Sequence, residues 1–310
     1  VPKPSHCPLP QRDGITPSYL ELPAGSWPSL LAFLVARFPH VAEAAWLERL
    51  QRGALVDPDG VPFAPDSPYR AYSRIWYYRE VPRETPVPFE EYVLYRDNQL
   101  VVADKPHFLA CIPAGRHLQE TLLTRLRIKL DLPDLAPIHR LDRETAGIML
   151  FCADPAYRGA YQKLFAERRV EKEYEAIAPY RADLALPLVH RSRLEERPEN
   201  FTMYEADGEP NSETRISLIA QRGDWAHYRL QPHTGKKHQL RAHLCALGIP
   251  ILHDPWYPLA LPDKGDDFSR PLQLLARSIT FTDPVSGKEH TFRSERVLRW
   301  ADGSSAPYSG

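Results

Sequence analysis

The run Ile138-His139-Arg140-Leu141-Asp142-Arg143-Glu144-Thr145-Ala146-Gly147-Ile148-Met149-Leu150-Phe151 joins a cluster of charges to an apolar stretch. The apolar half reads as a buried strand, a rigid mount for a loop whose side chains face a cleft. Asp142 stands between Arg140 and Arg143, and flanking cations favour a carboxylate over a carboxylic acid. A carboxylate so placed can attack an electrophile, accept a proton or act as a fixed charge. Pairing it with Glu144 for hydrolysis is a competing idea. Residues i and i+2 point opposite ways on a strand, so the loop would have to bend to bring them together.

A second cluster follows about a hundred residues later: Thr234-Gly235-Lys236-Lys237-His238-Gln239-Leu240-Arg241-Ala242-His243-Leu244. Read as a helix, it sets His238, Arg241 and Cys245 on one face, with Gly248 as its stop. Three histidines (His233, His238, His243) suggest a metal, but five-residue spacing rotates successive rings apart. Carboxylate or cysteine partners are also missing, so no metal site is expected.

Both runs, in this order, resemble the RluA-type pseudouridine synthases. The first matches that family's His-Arg-Leu-Asp-x-x-Thr-Ser/Ala-Gly core, and the second its Thr-Gly-Arg-x-His-Gln-Ile/Leu-Arg-x-His-Leu motif with Lys236 in place of Arg. Between them, Lys172-Glu173-Tyr174 stands at the family's Lys-x-Tyr. Later, His253-Asp254-Pro255-Trp256-Tyr257 stands at its Gly-Asp-x-x-Tyr. Lys105-Pro106-His107-Phe108 departs from the usual Lys-Pro-Ala/Ser-Gly. The resemblance covers roughly residues 92–293.

The resemblance implies isomerisation of uridine to pseudouridine within ribosomal or transfer RNA, without cofactor or metal. Asp142 would be the catalytic carboxylate, Arg241 the cation opposite it, and Tyr174 a wall of the uracil pocket. Arg140 would push into the RNA and displace the target base. Lys105, His139, Leu141, Arg143, Lys172, Lys236, Lys237, His238 and Leu240 complete the set expected to contact substrate or RNA. Whether the carboxylate attacks sugar or base stays open. So does a protein that only binds RNA, which would have no use for Asp142 and Arg241 together. The implied fold is α+β, with a mixed, largely antiparallel sheet, flanking helices and a central RNA-binding cleft.

Across its 310 residues the chain is 43% hydrophobic and 25% charged, with a net charge of −1. RNA binding would therefore depend on local segregation of charge. Arg125, Arg127 and Lys129 before the first run, and Lys163, Arg168, Arg169 and Lys172 after it, form a candidate phosphate track. Four dispersed cysteines suit a reducing compartment. With no spanning apolar run and no signal-like start in Val1–His6, a cytoplasmic monomer is expected.

Residues 1–25 read as an extended N-terminal arm. Residues 26–78 read as a degenerate α-L RNA-binding-like module: a helix capped by Ser26, a helix over 41–52 and a hairpin over 54–63. Residues 79–91 read as a linker, and 92–310 as the catalytic domain. Within the latter, 181–211 reads as a polar, mobile excursion, while 214–220 and 225–231 read as adjacent antiparallel strands.

Overall fold

The computed structural model describes residues 7–81, 83–260 and 266–307. Contacts divide the chain into two units, Val1–Glu84 and Thr85–Gly310.

The first unit holds β1 (Ser18–Glu21), helices α1 (Leu30–Arg37) and α2 (Glu43–Gln51), β2 (Leu55–Val56) and β3 (Arg74–Tyr77). Its sheet runs β1-β3-β2, both pairings antiparallel. The helices bury Leu30, Phe33, Leu34, Trp46 and Leu50 against Leu55 and Ile75. The expected 1–25 arm is corrected here, because Ser18–Glu21 pairs with β3 and Leu22 is buried in the core. Its first six residues lie outside the described ones. The helix cap is Ser29, not Ser26: its hydroxyl accepts the Ala32 N–H at 3.1 Å, as an N-cap should. The expected hairpin over 54–63 is present in short form: Val56 bridges Pro62, the Phe63 N–H donates to the Leu55 carbonyl and the Asp57 N–H to the Val61 carbonyl, while β2 also pairs with β3.

The second unit is built on one large sheet. In chain order it contains β4 (Tyr92–Arg96), β5 (Leu100–Lys105), α3 (Leu122–Leu130), β6 (Ala136–Pro137), β7 (Ala146–Cys152), a 3-10 turn (Pro155–Tyr157), α4 (Arg158–Ala166), β8 (Val170–Pro179), β9 (Leu188–Glu196), β10 (Met203–Ala206), β11 (Ser212–Arg222), β12 (Trp225–Pro232), α5 (Gln239–Ala246), β13 (Leu274–Thr282) and β14 (Glu289–Arg293). The order is β10-β9-β11-β12-β8-β13-β7-β5-β4, with β14 on β13 and β6 on β7. Among these pairings only β13–β7 is parallel, so the sheet is mixed and largely antiparallel, as expected.

β7 is buried along its whole length. Alternation sends Met149 and Phe151 to the face covered by Leu122, Leu123 and Leu126 of α3. Ile148, Leu150 and Cys152 go to the face covered by Tyr161 and Leu164 of α4. A strand enclosed on both faces reads as a continuous apolar run, which is why its position was visible in the sequence. At its start, Gly147 has φ +112°, and a Cβ there would lie 2.2 Å from the Ala276 carbonyl oxygen. Only glycine permits that approach of β7 to β13.

Two further expectations are corrected. Residues 181–211 are not a loose excursion: they supply β9 and β10, whose Leu194 and Met203 are buried with Tyr257. Arginines and glutamates hide the strand pattern there, because only one face of this outer hairpin is covered. The 79–91 segment is not linker throughout. Val87 joins the core, Glu91 is buried, and Phe89 stacks near Phe108 at 6.1 Å. The unit boundary falls between Glu84 and Thr85; Pro82 lies outside the described residues.

Candidate active site

Asp142 sits in the loop between β6 and β7, and the segment following β5 clamps that loop through its backbone. The Lys105 ammonium donates to the Arg143 carbonyl at 3.0 Å, as well as to Pro106 and Leu109 carbonyls. The Cys111 thiol donates to the Leu141 carbonyl at 3.0 Å, and its sulfur receives the Leu141 N–H. The His107 ring bonds the Glu144 carbonyl at 2.8 Å, and Arg143 Nε donates to the Phe108 carbonyl at 3.0 Å. Contacts to residues 141, 143 and 144 thus bracket Asp142. Phe108 adopts φ +67° where the family's pattern has glycine. Its ring is buried against Phe89 and Phe268, which offsets the backbone cost.

Opposite the loop stands α5. His238, at φ +51°, is its N-cap, so the helix begins at Gln239 and not at Thr234. Residues 234–238 are a loop organised by the Gln239 amide. Its oxygen accepts from the Thr234 hydroxyl and the Lys236 N–H, and its nitrogen donates to the Glu213 carbonyl and Thr214 hydroxyl. Cys245 turns away, packing with Leu194, Met203 and Tyr257.

Arg241 reaches across from α5, 1% exposed. Nη1 donates to Asp142 Oδ2 at 3.1 Å, while Nε (2.8 Å) and Nη2 (2.5 Å) form a fork on Asp254. Burial works against the guanidinium charge, but the Asp254 and Asp142 carboxylates outweigh it and raise the pKa above its ordinary value. Trp256 lies 4.4 Å beneath the guanidinium and also stacks on His238. Asp254 is itself held, accepting the Trp256 and Tyr257 N–H groups.

His238 Nε2 lies 3.8 Å from Asp142 Oδ1. Burial pulls its pKa down to about 4, against the pull of Asp142, so the ring is neutral at physiological pH. The Met203 N–H donates to the Tyr257 hydroxyl, which is then free to donate to His238 Nδ1. That assignment leaves the proton on Nε2, facing Asp142. Tyr174 is pushed above the ordinary tyrosine range by burial and by Asp142; it is a neutral wall, not a base.

These groups line a cavity of about 400 Å³. Arg140, Leu141, Asp142, Lys172, Tyr174, Lys236, Lys237, His238, Leu240 and Arg241 all face it, with Thr145, Thr234 and Leu274. Three expected contact residues do not. Lys105 is fully buried under the loop, its three donors spent on carbonyls, and burial pulls its pKa down to about 8. Arg143 points back to Phe108 and Glu144. His139 faces β7, accepting the Leu150 N–H and stacking on Phe165 at 4.7 Å.

Arg140 and Arg143 do not brace Asp142 as their sequence positions suggest; Arg241 does. Its two-pronged contact goes to Asp254, a residue the sequence showed only within the Gly-Asp-x-x-Tyr resemblance. Glu144 is buried outside the cavity lining, so a hydrolase built on Asp142 and Glu144 lacks its second carboxylate. The three histidines of the second run do not form a group either. Among the described residues, His190, Glu205 and His243 converge instead, with ligand atoms within 4.8 Å of one another. His190 Nε2 lies 2.6 Å from Glu205, and His243 bonds Ser192, Ser212 and Thr214 hydroxyls.

Comparison with known proteins places a chain with this fold among the pseudouridine synthases. A family model described as RNA pseudouridylate synthase matches residues 99–246. The Escherichia coli K12 dual-specificity RNA pseudouridine synthase RluA is 33% identical over 208 residues, covering 65% of this chain and 91% of that protein. An uncharacterized RNA pseudouridine synthase from Synechocystis is 31% identical over 74% of this chain and 79% of its own length. The human RNA pseudouridylate synthase domain containing 4 structure superposes with a TM-score of 0.51 at 27% identity, covering 66% of this chain and 87% of that one. The chain belongs to the RluA-type RNA pseudouridine synthases, isomerases that convert uridine to pseudouridine in RNA. Among the described residues, no helix is long and apolar enough to cross a membrane.

Proposed function

We propose that Asp142 carries the isomerisation of a uridine that has been turned out of folded ribosomal or transfer RNA into the cavity beside it. The observation that supports this most is the 3.1 Å contact of Asp142 with Arg241 inside a cavity large enough for a nucleobase. The N-glycosidic bond breaks, the uracil turns while enclosed, and carbon 5 bonds the ribose. The proton on carbon 5 then leaves as N1 gains one, so the product is an isomer. Arg241 holds the carboxylate in place throughout, at a charge-assisted hydrogen bond that water cannot reach from its own side. Tyr174 and Leu240 bound the base, and His238 offers its Nε2–H toward Asp142.

Extrusion of a stacked base costs a few kcal/mol. Arg140, exposed at the cavity rim, fills the vacated place in the RNA, and Lys172, Lys236 and Lys237 contact backbone phosphates. RNA labelled with tritium at carbon 5 of uridine, isolated from a strain lacking the protein, provides the test. Wild-type protein should release tritium to water, and Asp142→Asn should abolish release while still binding RNA. Release at a near-wild-type rate by Asp142→Asn would remove the carboxylate from the mechanism.

A further inference from the structure

A second cavity, about 680 Å³, adjoins the first and shares Arg140, Lys172, Tyr174 and Lys236 as a common wall. Its far side is formed by Phe165, Arg168, Asn211 and His233. Four cationic side chains line it, and among the described residues no carboxylate does.

That imbalance is local. Of the seven cations in the candidate phosphate track, four are engaged with carboxylates: Arg125 and Lys129 with Glu91, and Lys163 and Arg169 with Glu167. Arg127 donates to the Leu135 carbonyl. Only Arg168 and Lys172 face the cavity, and neither has a carboxylate ion pair among the described residues; nor do Arg140 and Lys236. Lys172 is partly buried, its ammonium donating to the Thr234 carbonyl at 3.2 Å. Burial and the nearby Arg168 charge lower its pKa. Like charges gathered around a concave space, uncompensated, repel each other until an anion enters. Phe165 and Ile138 add an apolar floor, and Asn211 and His233 add hydrogen-bonding groups at the edge.

We propose that this cavity seats the nucleotide next to the target uridine, with Arg168 gripping its phosphodiester. The inference rests on the reading that the first cavity holds the uridine. It places a grip on the RNA strand at one flank of the target.

The test uses Arg168→Ala, Arg168→Lys and, as a control, Arg169→Ala, whose arginine is paired with Glu167. Binding of a short fluorescent oligouridylate is followed across a KCl series, and tritium release gives kcat and KM. Arg168→Ala should raise Kd and KM about three- to tenfold, leave kcat unchanged, and make the salt slope shallower by roughly 0.7, one single-strand phosphate contact. Arg168→Lys should recover most of the loss, and Arg169→Ala should match wild type. Unchanged affinity and salt slope in Arg168→Ala, or a loss confined to kcat, would overturn the inference. If wild-type protein releases no tritium, the functional reading fails, while the oligouridylate measurement still decides whether Arg168 holds a phosphate.

Discussion

Arg241 is asked to do two things that only a guanidinium can do together. Its Nε and Nη2 lock onto Asp254 while Nη1 remains for Asp142. A lysine ammonium is a point donor without that fork. Arg241→Lys should therefore lower kcat by about 10²–10³, read from single-turnover tritium release, with RNA affinity much less affected. A variant with near-wild-type kcat would show that any cation suffices. Asp142 and Arg241 were legible in the sequence because each sits in a run of constrained residue types. Asp254 and Trp256 were not legible as a brace for Arg241, nor the Tyr257 hydroxyl as the partner of His238, since nothing in a linear chain shows which side chains converge.

At the level of elements, the site depends on how β7 begins. The loop carrying Asp142 runs straight into Gly147, which lies against the backbone of β13. Gly147→Ala should destabilise the protein by roughly 2–5 kcal/mol, from overpacking plus a strained φ, measured by urea unfolding. Activity of the folded fraction should fall as well, because a shift of β7 moves Asp142 relative to α5. A variant as stable as wild type would mean that the β7–β13 approach adjusts freely. The apolar run of β7 and the alternation of β11 and β12 identified those strands correctly. β9 and β10 escaped because their charged outer faces mask the period, and the Lys105 clamp was misread because a lysine in a sequence looks exposed. Its burial is determined by three carbonyls that come from separate turns.

Across the whole molecule, several histidines are kept neutral by burial. His139 and His243 are pulled down to about 3, with Lys172 and His190 respectively adding to the effect, and His238 is pulled down to about 4. Their unfolded value is near 6.5. The unfolded chain thus takes up protons first as pH falls. The stability tied to these rings is complete above about pH 6.5 and is lost progressively toward pH 4 and below. Each proton contributes roughly 1 kcal/mol per pH unit, and Asp104, whose pKa burial raises, acts in the opposite sense. Urea midpoints should drop between about pH 7 and pH 4.5, and His243→Gln should flatten the slope. A midpoint constant over that window would contradict neutral burial. In the first unit, Arg49 and Arg52 pair with Glu80, and Arg74 with Glu21. Three arginines of the RNA-binding-like module are thus already matched by carboxylates.

By itself the sequence determined the chemistry on offer: a carboxylate on a loop leading into a buried strand, an arginine on a later helix, and the family both belong to. Such information survives in a linear string because residue type and short-range spacing are local properties. Tertiary structure decided which charge meets which. It gave Asp142 to Arg241 and not to its chain neighbours, buried Lys105 and turned Arg143 inward, and left Arg168 and Lys172 facing a hollow that no carboxylate lines among the described residues. Those outcomes depend on strand order and on backbone groups far apart in the chain, and no local pattern encodes either.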